Sequence, residues 1–176
     1  MLLALATDQC VQTLASIELN NIENLSDRLE NQITKRIKTS NINKIQPTLI
    51  LPFFTDDVNI CSAKSLLLYL EKTENIRGTT SNLFKTFKRQ HLASTAKTIS
   101  RWLKTMLKKS GLDINFSGAH STRHASTSTA ARKGVSYDNI RLAAGWREKS
   151  KTFAAFYKKC SVSNATNFAT AVLNCT

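Results

Sequence analysis

Apolar side chains recur at helical spacing from Leu2 to Ile17 (Leu2, Leu3, Leu5, Ala6, Cys10, Val11, Leu14, Ile17), a pattern that predicts one buried helix at the start of the chain. From Ile17 to Leu51 the pattern shortens to alternating pieces, Leu19–Ile22, Ile33–Lys38 and Thr48–Pro52. Asn20-Asn21 and Ser40–Asn43 supply turn residues between them, which predicts a small antiparallel sheet. Helical spacing then returns over residues 59–73, and Gly78 closes that section. Ser94 or Thr95 caps a helix through Ile99, Trp102, Leu103, Met106 and Leu107 that ends at Gly111. A further helix starts near His120 and stops at Gly134, and Ser136 caps a short one that reaches Gly145. Phe153, Phe156 and Tyr157 lie on a last amphipathic helix, before a polar tail with a weak helical patch at Phe168, Ala171 and Val172. The class is mainly α with a small antiparallel β-sheet (α+β).

Composition adds a partner. A chain of 176 residues, 41% apolar with only 5 Gly and 2 Pro, can bury a real core. The net charge of +13 is unevenly spread: residues 1–84 sum to −1 and residues 85–176 to +14. An excess of that size across several elements points to a polyanion, with nucleic acid the expected partner and the basic helices free to lie along a duplex. The four cysteines (Cys10, Cys61, Cys160, Cys175) form no Cys-x-x-Cys pair. They suggest neither a zinc site nor a disulfide framework, and suit a reducing intracellular compartment, the nucleus in a eukaryotic host. Met1–Ala6 is too short to cross a bilayer and runs into Asp8 and Gln9, so no membrane is expected. No cofactor or metal is expected either.

Candidate chemistry gathers in the basic half. His120 and Arg123 are three apart, so on a helix they share a face. Arginine presents a planar fork of donors to two phosphate oxygens, and histidine donates or moves a proton near neutral pH. Trp146 follows a helix-ending glycine and offers an indole N–H; Tyr157 offers a phenol. Each alone has a plain reading: a helix-capping histidine, a surface charge, a core aromatic, a packing tyrosine. Their conjunction, in this order, supplies what covalent attack on a phosphodiester needs.

The segment GAHSTRHASTSTAARKGVSYDNIRLAAGWREKSKTFAAFYKK resembles the C-terminal catalytic core of tyrosine recombinases, the phage-integrase superfamily, in the form found in mobile elements of animal genomes. The resemblance implies a catalytic domain over residues 1–160, lacking the upstream DNA-binding domain, and a C-terminal tail over 161–176. It implies that Tyr157 attacks a scissile phosphate to give a 3′-phosphotyrosyl link, needing neither ATP nor metal. Arg123 would clamp the non-bridging oxygens, His120 would donate to the same centre or assist proton transfer, and Trp146 would stand where the family has a His or Trp donor. The family's catalytic lysine lies on a sheet hairpin and protonates the departing 5′-oxygen; Lys38 matches it best, with Lys44 as the fallback. Such recombinases act as tetramers on paired sites, so a homo-tetramer on DNA is implied.

One member of the set departs. The family places a first catalytic arginine in a context like Thr-Gly-Gln-Arg, and this chain reads Thr7-Asp8-Gln9-Cys10. Cys10 stands at the arginine position and Asp8 at the glycine. A thiol supplies no forked cation, and losing one preorganised donor costs on the order of 10²–10³ in rate. Two readings follow: DNA strand breakage and rejoining with impaired chemistry, or a non-catalytic DNA-binding remnant of an integrase. A type IB topoisomerase shares the chemistry, but the Gly145-Trp146 and Phe156-Tyr157 contexts favour a recombinase.

Overall fold

The computed structural model describes residues 1–38, 40, 46–115, 117–146, 150, 151 and 153. Their elements run α1 (Leu2–Thr7), α2 (Val11–Ala15), β1 (Ile22–Asn24), β2 (Arg28–Gln32), β3 (Thr48–Pro52), α3 (Ser62–Thr73), α4 (Ala96–Lys109), α5 (Ser121–Arg132) and α6 (Tyr137–Ala143). The strands form one antiparallel sheet in the order β1-β2-β3. Mainly helical with a small antiparallel sheet is the class the hydrophobic pattern predicts.

Two local expectations are corrected. The helix predicted over Leu2–Ile17 is broken at Asp8, whose φ of 51° and ψ of 26° end α1 in left-handed backbone. Cys10 is extended (φ −72°, ψ 156°) and α2 restarts after it. No glycine or proline announces the break, because aspartate is among the few residues that tolerate this conformation. The second correction concerns the sheet. Leu19–Asn21 is a 3₁₀ turn and Ile33–Lys38 is not a strand; the central strand is Arg28–Gln32, of which only Leu29 is apolar. Leu29 pairs with Leu51 and Asn31 with Leu49, and all four side chains are buried. Pairing with the apolar β3 selects β2, and the buried Asn31 amide is accommodated by donating to the Glu18 carbonyl (3.1 Å).

Helix ends follow the expected chemistry. The Thr95 hydroxyl accepts from the Thr98 N–H (3.2 Å) at the start of α4, and Ser136 accepts from Asn139 (3.3 Å) at the start of α6. Gly134 (φ 84°) and Gly145 (φ 68°) follow α5 and α6 in the left-handed backbone that favours glycine. The main core joins Leu14, Ile17, Leu29, Ile33, Leu83 and Ile99 beneath the sheet and helices α1–α4. Ile140 and Phe153 form a smaller cluster with Trp146. Helix α1 packs on α3, β3 and α5, so the α1–α2 corner faces the start of α5.

Candidate active site

That corner converges on Arg123. Its Nε donates to the Asp8 carbonyl (2.8 Å) and its Nη2 to the Ala144 carbonyl (2.8 Å). Its guanidinium carbon lies 4.3 Å from the centroid of the Trp146 ring, a cation–π contact. Two segments far apart in sequence, residue 8 and residues 144–146, are thereby tied to α5 by one side chain. Two of five N–H bonds are spent on the scaffold, and among the described residues Nη1 takes part in no hydrogen bond. Gln9 reinforces the same corner, its Nε2 donating to the Ala143 carbonyl (2.8 Å), and Ser126 of α5 donates to the Leu5 carbonyl (2.7 Å). Gln9 and Ser126 carry no motif; only the three-dimensional meeting of α1, α5 and α6 reveals their part.

Asp8 is the anomaly of the corner. It is 7% exposed, both its carboxylate oxygens are buried without a hydrogen bond, and one lies 3.7 Å from Arg123 Nε. That separation permits Coulomb attraction but no hydrogen bond. Burial dominates and pushes the carboxyl up to about 7, against the opposing pull of the Arg123 charge. A left-handed backbone and an unsatisfied buried carboxyl at one residue are what a glycine there would avoid.

Cys10 follows two residues later at the start of α2, partly buried, with its Sγ 3.2 Å from the Thr13 hydroxyl. Lys38 reaches the same helix: its backbone N–H donates to Gln12 Oε1 (3.3 Å) and the residue is exposed. His120 precedes α5 in helical backbone (φ −77°, ψ −16°), makes no side-chain cap and is exposed. The capping role open to a lone histidine is therefore not the one it plays. The structure brings Arg123 and Trp146 into contact and ties Lys38 by its backbone to the α1–α2 corner. Tyr157 and Lys44 lie outside the described residues.

Around this corner the surface is cationic. Lys97, Arg101, Lys104 and Lys108 are exposed and spaced four, three and four apart, so they form a stripe along α4. Among the described residues no group of three or more His, Cys, Asp or Glu could hold a metal ion, and no helix is long and apolar enough to cross a membrane.

This arrangement of helices around a small three-stranded antiparallel sheet matches the catalytic-domain fold of tyrosine recombinases and integrases. The chain resembles XerA recombinase with a TM-score of 0.68 at 18% identity, over 96% of this chain and 55% of that one. It resembles XerH site-specific recombinase bound to a palindromic difH substrate in a post-cleavage complex with a TM-score of 0.70 at 14% identity, over 96% and 43% of the two chains. For the Tn1549 transposon integrase in complex with a circular-intermediate DNA the TM-score is 0.64 at 14% identity, over 97% and 57%. The chain thus spans about half the length of the solved structures it matches. No family model and no curated protein matches it in sequence.

Proposed function

We propose that this chain is a DNA breaking-and-rejoining domain of the tyrosine recombinase kind, working on duplex DNA through a 3′-phosphotyrosyl intermediate at a rate lowered by Cys10. The observation that carries the reading is Arg123, fixed by the Asp8 and Ala144 carbonyls and the Trp146 ring with part of its donor fork unspent. A guanidinium held before substrate arrives stabilises developing phosphorane charge without reorganising. In the proposed step the Tyr157 phenolic oxygen forms a bond to the scissile phosphorus as the bond to the 5′-oxygen breaks. The phenolic proton passes toward His120, and Lys38, or Lys44 beyond it, supplies a proton to the departing oxygen. The assembly on paired sites is a homo-tetramer, and the mobile-element origin and intracellular location belong to the same proposal.

A non-catalytic DNA-binding remnant is the second reading, and Asp8 favours it: a carboxyl 3.7 Å from Arg123 opposes a phosphate at that arginine. Trapping on a nicked suicide duplex decides between them. A covalent adduct with the wild-type chain, abolished by Tyr157→Phe, is the expected result. An adduct seen only with Cys10→Arg marks a chain whose site has lost its chemistry. No adduct with either protein sinks the catalytic reading, and salt-sensitive duplex binding unchanged by Tyr157→Phe then supports the remnant.

A further inference from the structure

The segment between the α3 region and α4 folds into a hairpin that no step of the proposed chemistry uses. Lys85 pairs antiparallel with Ala93, the Thr86 N–H donates to the Leu92 carbonyl (2.8 Å), and the Ser94 N–H donates to the Phe84 carbonyl (2.8 Å). Its root is anchored in the interior. The Lys85 backbone N–H donates to the Tyr69 hydroxyl (3.1 Å), while the buried Lys85 ammonium donates to the Arg77 carbonyl (2.6 Å).

At the tip, the His91 N–H donates to the Lys88 carbonyl (2.9 Å), closing a four-residue turn. Gln90 (φ 86°) occupies the turn position that glycine or asparagine prefers, and His91 follows at φ 43°. Two successive non-glycine residues in left-handed backbone are strained, and the strain is held by the stem and by the His91 Nδ1 contact to the Thr86 carbonyl (3.1 Å). The product is a fixed tip that displays apolar groups. Phe87 is 82% exposed although its ring lies tilted against Trp102 of α4 (centroids 5.1 Å apart, 53° between planes), and Leu92 is 60% exposed. Lys88 and Arg89 are exposed beside them. Residues 75–112 hold no Asp or Glu, and seven of their nine Lys/Arg are exposed, so the occupant of this cationic surface is a polyanion with apolar surfaces of its own.

We propose that the Thr86–Leu92 hairpin is a duplex-DNA contact in which Phe87 and Leu92 lie against sugars and bases while Lys88 and Arg89 hold the flanking phosphates. The inference rests on the DNA-binding part of the proposed function and adds to it a second point of attachment, on a segment that supplies none of the partners of Arg123. An apolar contact to the sugar faces of a duplex reads no pattern of donors and acceptors on the bases, so this contact strengthens binding without choosing a site.

The test measures binding of a fluorescein-labelled duplex by anisotropy across a salt series. Phe87→Ser should weaken binding about tenfold and leave the salt slope unchanged, because an apolar contact releases no counterions. Phe87→Leu, which keeps part of the contact, should fall between. The pair Lys88→Gln with Arg89→Gln should flatten the slope of log K against log salt by about 1.8, two phosphates' worth. Phe87→Ser at wild-type affinity overturns the hairpin proposal alone, whereas a wild-type chain that binds no duplex overturns the DNA reading itself. If Phe87→Ser abolishes self-association in sedimentation and leaves DNA affinity intact, the face joins two copies of the chain and the proposal fails.

Discussion

Replacing Asp8 by asparagine removes the charge without disturbing shape, and asparagine tolerates the left-handed backbone (φ 51°) found there. The Asp8 carboxyl titrates at about 7 in the folded protein against an ordinary 3.8. Its folded value is raised, so the folded chain keeps a proton that the unfolded chain has released between those limits. Stability therefore falls as pH rises from about 4 to 7 and levels off above. At 1.36 kcal/mol for each pH unit the full penalty is about 4 kcal/mol, and partial relaxation of the site brings the expectation to about 2–4 kcal/mol. A neutral carboxylic acid and an amide are alike in size and both lack partners here, so the two proteins should be equally stable below about pH 3.5 and differ by only about 1 kcal/mol at pH 4.5. At pH 8 the Asp8→Asn protein should be the more stable by that amount, raising the melting temperature by roughly 10 °C. Urea titrations followed by the emission of Trp102 and Trp146, at half-unit steps from pH 4.5 to 8, measure the difference directly. Other titrating groups cancel in the comparison. Parallel curves for the two proteins across that range would refute the reasoning, since they would mean that the Asp8 carboxyl is ionised throughout and solvated.

Two further substitutions test the scaffold. Leu83→Ala empties a fully buried position of the main core and should cost about 2–5 kcal/mol in a urea titration, with no change confined to the α5 region. Arg123→Lys keeps the charge but cannot bond both the Asp8 and Ala144 carbonyls or cover the Trp146 ring. It should cost about 1.5–3 kcal/mol of stability by the same measurement, and hydrogen exchange should rise at the α1–α2 corner.

The elements most legible in the sequence are those with end signals matching their periodicity. Thr95 and Gly111 bracket α4, and Ser136 and Gly145 bracket α6, because hydroxyl caps and left-handed glycines act locally. Strand β2 was not legible, since Arg28–Gln32 is polar apart from Leu29 and becomes a strand only by pairing with β3. The break at Asp8 was hidden for a related reason: the apolar stripe continues across it, and the corner is fixed by Gln9, Arg123 and Ser126 from outside the segment. For the site, Arg123 and Trp146 are legible only as members of an ordered set with His120 and Tyr157, and their direct contact comes from the structure. That Arg123 has two backbone carbonyls as partners could not be read from the chain, because one of them lies 115 residues away.

The double tether of Arg123 also bears on the order in which such a domain loses its parts. A side chain that holds three segments together is protected by folding itself, whether or not DNA is ever cut. Position 10 carries no such duty, since the Cys10 thiol touches only Thr13 of its own helix among the hydrogen bonds of the described residues. In a lineage released from selection for cleavage, residue 10 is free to drift while residue 123 is not. Under the proposed function, Arg123 is therefore kept by folding as well as by chemistry, and residues without structural employment are the sharper record of whether that chemistry is in use.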